Sequence, residues 1–172
     1  MKKALFASIA IVALSIPSFA GVAAKPSKTV VAPPECFRAG ELQLDAFGSY
    51  NNTTGGSNDA HGFGGGLGLN YFITRNLGVG VEGNVWAAHH TIWNPNANII
   101  WRFPLEFSGH CLAPYIFGGG GGTFDGSNAG EGHVGGGLEY RATPKIGIFS
   151  DYRHAWGGSD FNTIRAGLRF VF

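Results

Sequence analysis

The side chains able to do chemistry are few: five of the six histidines, His61, His89, His90, His133 and His154, expected toward the outward end, cysteines at Cys36 and Cys111, and glycine runs at 64–66 and 118–122. Neutral imidazoles in a cluster could hold a transition metal. Their separations in sequence match no compact ligand motif, so polar residues at a rim are the plainer reading, and no metal or cofactor is expected. The glycine runs could cradle phosphate, but neither precedes a helical pattern nor carries a Gly-Lys-Ser/Thr ending. Glycines facing a crowded interior explain them more simply.

The background to these residues is poor in charge and rich in glycine. Charged residues make up 13% of the 172-residue chain and glycine contributes 29. Both values disfavour amphipathic helices, where each interior glycine costs about 1 kcal/mol. A formal net charge of +1 gives no field to attract nucleic acid. Residues 1–20 read as a secretory signal: Lys2 and Lys3, an apolar run, then Ser18 and Ala20 before the cleavage point. That run is shorter than the roughly 17–25 residues of a membrane helix. Residues 21–40, with Pro26, Pro33 and Pro34, read as a periplasmic tether or short lid, and residues 41–172 as the folded domain.

Within that domain eight segments alternate apolar and polar residues: 41–50, 61–72, 77–87, 98–107, 113–123, 132–141, 146–155 and 163–172. Each approximates a tilted membrane strand of about 9–11 residues. Connections after the second, fourth and sixth are tight, around Thr74, Gly109 and Thr143. Those after the first, third, fifth and seventh are longer, including HHTIWNPNA and FDGSNAG. The expected fold is an all-β, eight-stranded antiparallel up-and-down transmembrane barrel with short periplasmic turns. The span charges Glu41, Asp45, Glu82, Arg102, Glu106, Glu139, Arg141, Asp151, Arg153, Arg165 and Arg169 all fall on the parity opposite the apolar residues. Chance would place them so roughly once in two thousand trials, given strict alternation of side chains.

A soluble lipocalin-like barrel would turn Trp101, Phe103, Leu105 and Phe107 inward and leave many glycines outside. The inverted arrangement puts the apolar set against lipid and the charges in the lumen, where they must pair. The expected pairs are Glu82 with Arg102 or Arg165, and Glu139 with Arg141 or Arg153, in a network with Asp45, Asp151 and Arg169. The glycine-rich wall leaves room for some lumen water. Segment 113–123 is ambiguous, because Tyr115 and Phe117 compete with Ile116 for the outer face. Strands one and five both begin on the periplasmic side. Cys36 is thus within reach of Cys111, at roughly 3.3 Å per extended residue, and a disulfide between them would draw the N-terminal segment over that opening.

The final residues, Thr163 to Phe172, carry a resemblance. Arg165, Gly167, Phe170 and Phe172 look like the polar, glycine, aromatic, terminal-aromatic pattern that closes outer-membrane barrels. The domain resembles the small barrel family typified by the OmpA membrane domain and OmpX. The resemblance implies an outer-membrane location, lipid as the surrounding partner, recognition by the barrel-assembly machinery, and a monomer. Some eight-stranded barrels are lipid A acyl hydrolases with a nucleophilic Ser two positions after a His. Here Trp156 occupies that position after His154, and Ser159 is too far along to substitute. A non-enzymatic structural, surface-interaction or envelope-integrity role is therefore expected first, ahead of a narrow channel for ions or small solutes. A lipid-modifying enzyme centred on His154 ranks third.

Overall fold

The computed structural model describes residues 36–53, 61–87, 91–107, 110–124, 128–157 and 160–172. The expected signal segment, most of the tether, His89, His90 and Ser159 lie outside them. The strands are β1 (Glu41–Thr53), β2 (His61–Phe72), β3 (Leu77–Ala87), β4 (Thr91–Arg102), β5 (Leu105–Phe107), β6 (His110–Phe124), β7 (Asn128–Thr143), β8 (Ile146–Gly157) and β9 (Phe161–Val171). All pairings are antiparallel, and apart from β4 with β6 and β1 with β9, which close the sheet, they join neighbours in sequence. β4 and β5 both pair with β6, on either side of a break at Phe103 and Pro104. They occupy one staff, and the barrel has eight.

Strand alternation sets the polarity. In β1, Glu41, Gln43, Asp45, Phe47, Ser49 and Asn51 are buried while Leu42, Leu44 and Tyr50 are exposed. Phe63, Leu67, Val81, Ile99, Trp101, Ile116, Val134, Ile148 and Ile164 continue the exposed apolar surface around the sheet. Buried arginines and carboxylates inside an apolar exterior reverse the polarity of a soluble barrel and fit immersion in hydrocarbon. β6 resolves the ambiguity of its segment: Ile116 faces out, and Tyr115 and Phe117 face in.

Two expectations fail at β4 and β5. The stretch 91–97 forms strand rather than loop, with Ile92, Asn94, Asn96 and Asn98 inside and Trp93, Pro95, Ala97 and Ile99 outside. Asn-Pro-Asn suggests a turn because Asn and Pro favour turn geometry. Here the alternation wins, and the β4–β6 pairing skips Asn94 and Pro95, where a ladder would call for the N–H that proline lacks. Glu106 also leaves the lumen. The break at Pro104 places it at the exposed rim, bonded to Arg75 at 2.8 Å.

The tight connections share a device. Thr74 Oγ1 accepts from the backbone N–H of Leu77 at 2.9 Å, and Thr143 Oγ1 accepts from that of Ile146 at 3.0 Å. Each hydroxyl closes a short turn between adjacent strands. At the same end Gly40, with φ +74°, turns the chain into β1, and its N–H donates to the Phe72 carbonyl.

Candidate functional site

An eight-stranded barrel has an interior just wide enough for side chains, so the arrangement inside decides what this one can do. Two ion-pair chains run through it. In the first, Arg102 Nη1 donates to Glu41 at 2.8 Å, Glu41 also accepts from Arg141, Arg141 donates to Glu139, and Arg169 Nη1 donates to Glu139 at 2.6 Å. Arg169 then grips Asp45 with two parallel bonds of 2.7 Å, the bidentate geometry that a planar guanidinium favours. In the second, Arg165 holds Asp151 at 2.6 and 3.0 Å and also Glu82, which accepts from Arg153 at 2.7 Å.

These chains contain Arg102, Arg141, Arg153, Arg165 and Arg169 against Glu41, Asp45, Glu82, Glu139 and Asp151, so their charges balance. All nine residues expected in the network lie inside. Glu82 takes Arg165, one of its two expected partners, and Arg153. Arg102 lies near the end where β1 begins and pairs with Glu41 instead. Glu139 takes Arg141 and Arg169, leaving Arg153 to Glu82.

Aromatic rings fill the space between the charges. Arg165 lies 5.1 and 5.2 Å from the ring centroids of Phe47 and Phe117, and Arg169 lies 4.7 Å from that of Phe149, within cation–π range. Tyr115 links the two chains, its hydroxyl donating to Asp151 at 2.7 Å and its ring lying under Arg169. Glycine makes this density possible. A Cβ on Gly66 would come within 2.6 Å of the Phe47 ring, and one on Gly135 within 2.4 Å of the Phe117 ring. The space left by the inward glycines is thus occupied by rings. The cavity among Asp45, Glu82, Tyr115, Asp151, Arg165 and Arg169 measures about 20 Å³, room for about one water.

Among the described residues, side chains also fill the lumen toward both ends. At the end where β1 begins, Cys36 is joined to Cys111 with Cα atoms 5.9 Å apart. The adjacent Phe37 is 0% exposed, between the guanidiniums of Arg102 at 5.0 Å and Arg141 at 4.6 Å. Arg141 also donates to the Cys36 carbonyl at 2.6 Å, and Arg102 to that of Arg38 at 3.1 Å. Residues 36–40 are therefore a seated stopper rather than the end of a free tether. At the far end Trp86, Ile92, Ala155 and Phe161 pack together across the lumen. Beside them Asn94 and Thr123 donate to Glu131 at 2.8 Å each.

Sequence reasoning expected the Cys36–Cys111 disulfide to draw the N-terminal segment over this opening, but not the seating of Phe37, the far apolar layer or Glu131. Phe37 lay in a stretch without period, Ile92 and Phe161 lay in segments read as loops, and Glu131 fell just before a predicted strand. Among the described residues the histidines do not gather. His133 is buried in the lumen against Asn98, His61 is exposed, and His154 sits on the outer face, its Nδ1 2.9 Å from Asn162 Oδ1. Trp156 lies beside His154, with ring centroids 6.1 Å apart. The terminal residues divide between faces: Arg165 is in the lumen, and Phe172 is exposed.

No protein-family profile matches the sequence, and no curated protein matches it either. Solved structures do match. Neisserial surface protein A aligns with a TM-score of 0.60 and 16% identity over 76% of this chain and 97% of that one. The N-terminal β-barrel domain of Pseudomonas aeruginosa OprF aligns with a TM-score of 0.60 and 18% identity over 78% and 99%. A de novo designed transmembrane β-barrel aligns with a TM-score of 0.56 and 16% identity over 78% and 98%. The fold of this chain is that of the small eight-stranded outer-membrane β-barrels.

Proposed function

We propose that this protein is a non-enzymatic, non-conducting integral protein of the bacterial outer membrane, which acts through its surface and its fit in the lipid rather than through its lumen. The observation that carries this reading is the sealed interior: a charge-balanced ion-pair network, a cavity of about 20 Å³, and a closure at each end. Solute passage would require breaking several buried pairs at once, and removing one partner from such a pair already costs about 3–5 kcal/mol. Hydrolysis centred on His154 lacks support from its described neighbours, since its side-chain contacts among the described residues are Asn162 and Trp156. The short turns mark the periplasmic end and the longer connections the outer end. In this reading Arg165, Gly167, Phe170 and Phe172 serve the assembly machinery during insertion, and the protein works as a monomer.

Planar-bilayer recording on refolded protein tests the proposal. Silence across ±100 mV is the expected result, with about 100 mV acting as roughly 2.3 kcal/mol on each charge moved across the membrane. Reproducible single-channel steps that vanish in a protein-free control would replace this reading with a channel.

A further inference from the structure

The outer face of the barrel, away from the lumen, carries an ordered pattern of side chains near one rim. Residues directly opposite in an antiparallel pair share a face. His61 pairs with Asn52, Asn52 with Asn162, and Asn162 with His154. A continuous exterior row of hydrogen-bonding side chains therefore crosses β2, β1, β9 and β8. The next row toward the hydrocarbon is Phe63, Tyr50, Ile164 and Tyr152, paired in the same register. All four are exposed, and Tyr50 and Phe63 are in ring contact at 5.1 Å. An apolar and aromatic row directly under a polar one marks the boundary between acyl chains and headgroups.

The height agrees. From Leu42 to Tyr50, β1 advances about 26 Å at ~3.3 Å per residue, or about 20 Å across the membrane at a tilt of roughly 40°. That is close to the apolar band of about 25 Å in such barrels. The polar row thus stands at the level of the outer headgroups.

The chemistry of the row is specific. Asn162 Oδ1 accepts from the Tyr152 hydroxyl at 2.6 Å and from His154 Nδ1 at 2.9 Å. An oxygen in this position calls for a proton on His154 Nδ1. His154, Asn162, Asn52 and His61 then offer hydrogen-bonding groups over a width of about 14 Å at ~4.8 Å per strand, with the Trp156 indole beside them. Neither this row nor the one beneath it contains Lys, Arg, Asp or Glu. A phosphate headgroup would call for cations. Hydroxyl-rich rings call for neutral donor and acceptor pairs with an aromatic plane against their C–H faces.

We propose that the exterior row His61, Asn52, Asn162 and His154, with Trp156, holds the sugar headgroup of a glycolipid in the outer leaflet. This deepens the surface-interaction reading and rests on it.

The test is native mass spectrometry of the refolded protein, released from micelles containing equal amounts of digalactosyl diacylglycerol and phosphatidylglycerol with the same acyl chains. Retention of the glycolipid over the phospholipid by at least about tenfold is expected from two or three net hydrogen bonds. The His154→Ala/Asn162→Ala variant should bring that ratio to within about twofold of unity, and Ile99→Ala, on another part of the exterior, should leave it unchanged. Heat-modifiable gel migration reports folding. Tyr152→Phe, which keeps the ring, supplies a second, gentler variant that lowers the ratio. Equal retention of both lipids, preference for phosphatidylglycerol, or a preference that survives the double substitution would overturn the assignment. A failure here leaves the silent lumen standing, because conductance reads the interior and lipid retention the exterior.

Discussion

Replacing Arg169 by Met is the sharpest perturbation of the lumen. Arg169 donates twice to Asp45 and once to Glu139, linking β9 to β1 and β7. Without it Glu139 keeps Arg141, whereas Asp45 keeps, among the described residues, only the Asn70 amide at 2.9 Å. A carboxylate left this way in a cavity with room for about one water should destabilise the barrel by about 3–5 kcal/mol. Adding Asp45→Asn removes the stranded charge and should restore about 2 kcal/mol, because the uncompensated ion rather than the lost bonds dominates the cost. The assay is reversible urea unfolding from phospholipid vesicles, followed by tryptophan emission and compared at constant m-value. Were Arg169→Met to cost less than about 1 kcal/mol, as for an exposed pair, or the double variant to be no more stable than Arg169→Met, the lumen would be wet and the sealed-interior argument wrong.

Two further outcomes follow from the packing. Gly135→Ala should destabilise by about 1–3 kcal/mol through overpacking, because its Cβ would meet the Phe117 ring and the Tyr152 carbonyl at 2.4 Å. Gly48→Ala, whose nearest neighbour would be 4.0 Å away, should be close to neutral in the same unfolding assay. Phe37→Ala should cost about 3–5 kcal/mol, and Cys36→Ser/Cys111→Ser about 2–4 kcal/mol, the typical worth of a native disulfide. The two together should cost less than their sum, since both release the same stopper. Non-reducing peptide mapping should recover the Cys36–Cys111 linked pair.

The sequence made the wall of the barrel legible because strand alternation is a local, strictly periodic signal. Leu42, Leu44 and Asp45 declare their faces without any knowledge of partners, as do Arg165, Leu168 and Arg169. The ends of strands were harder. Asn94 and Pro95 carry turn chemistry, and only tertiary pairing holds them in β4. Glu106 has lumen parity but lies beyond the break at Pro104, which no parity count can register. Partner choice was least legible, since it depends on height in the barrel and hence on register around the closed sheet. Arg102 and Glu41 are near neighbours only once β1 and β4 are placed. Phe37 could not be found by period at all, because it is held by two guanidiniums and a disulfide rather than by a strand.

The inside-out arrangement can be tested directly by quenching with brominated phospholipid in single-tryptophan variants that retain either Trp101 or Trp86. Trp101 is 46% exposed on the outer face, and Trp86 is 4% exposed in the lumen. Strong quenching of Trp101 with little effect on Trp86 is the predicted result. Strong quenching of Trp86 with Trp101 unaffected would contradict the arrangement on which the fold and the function both rest.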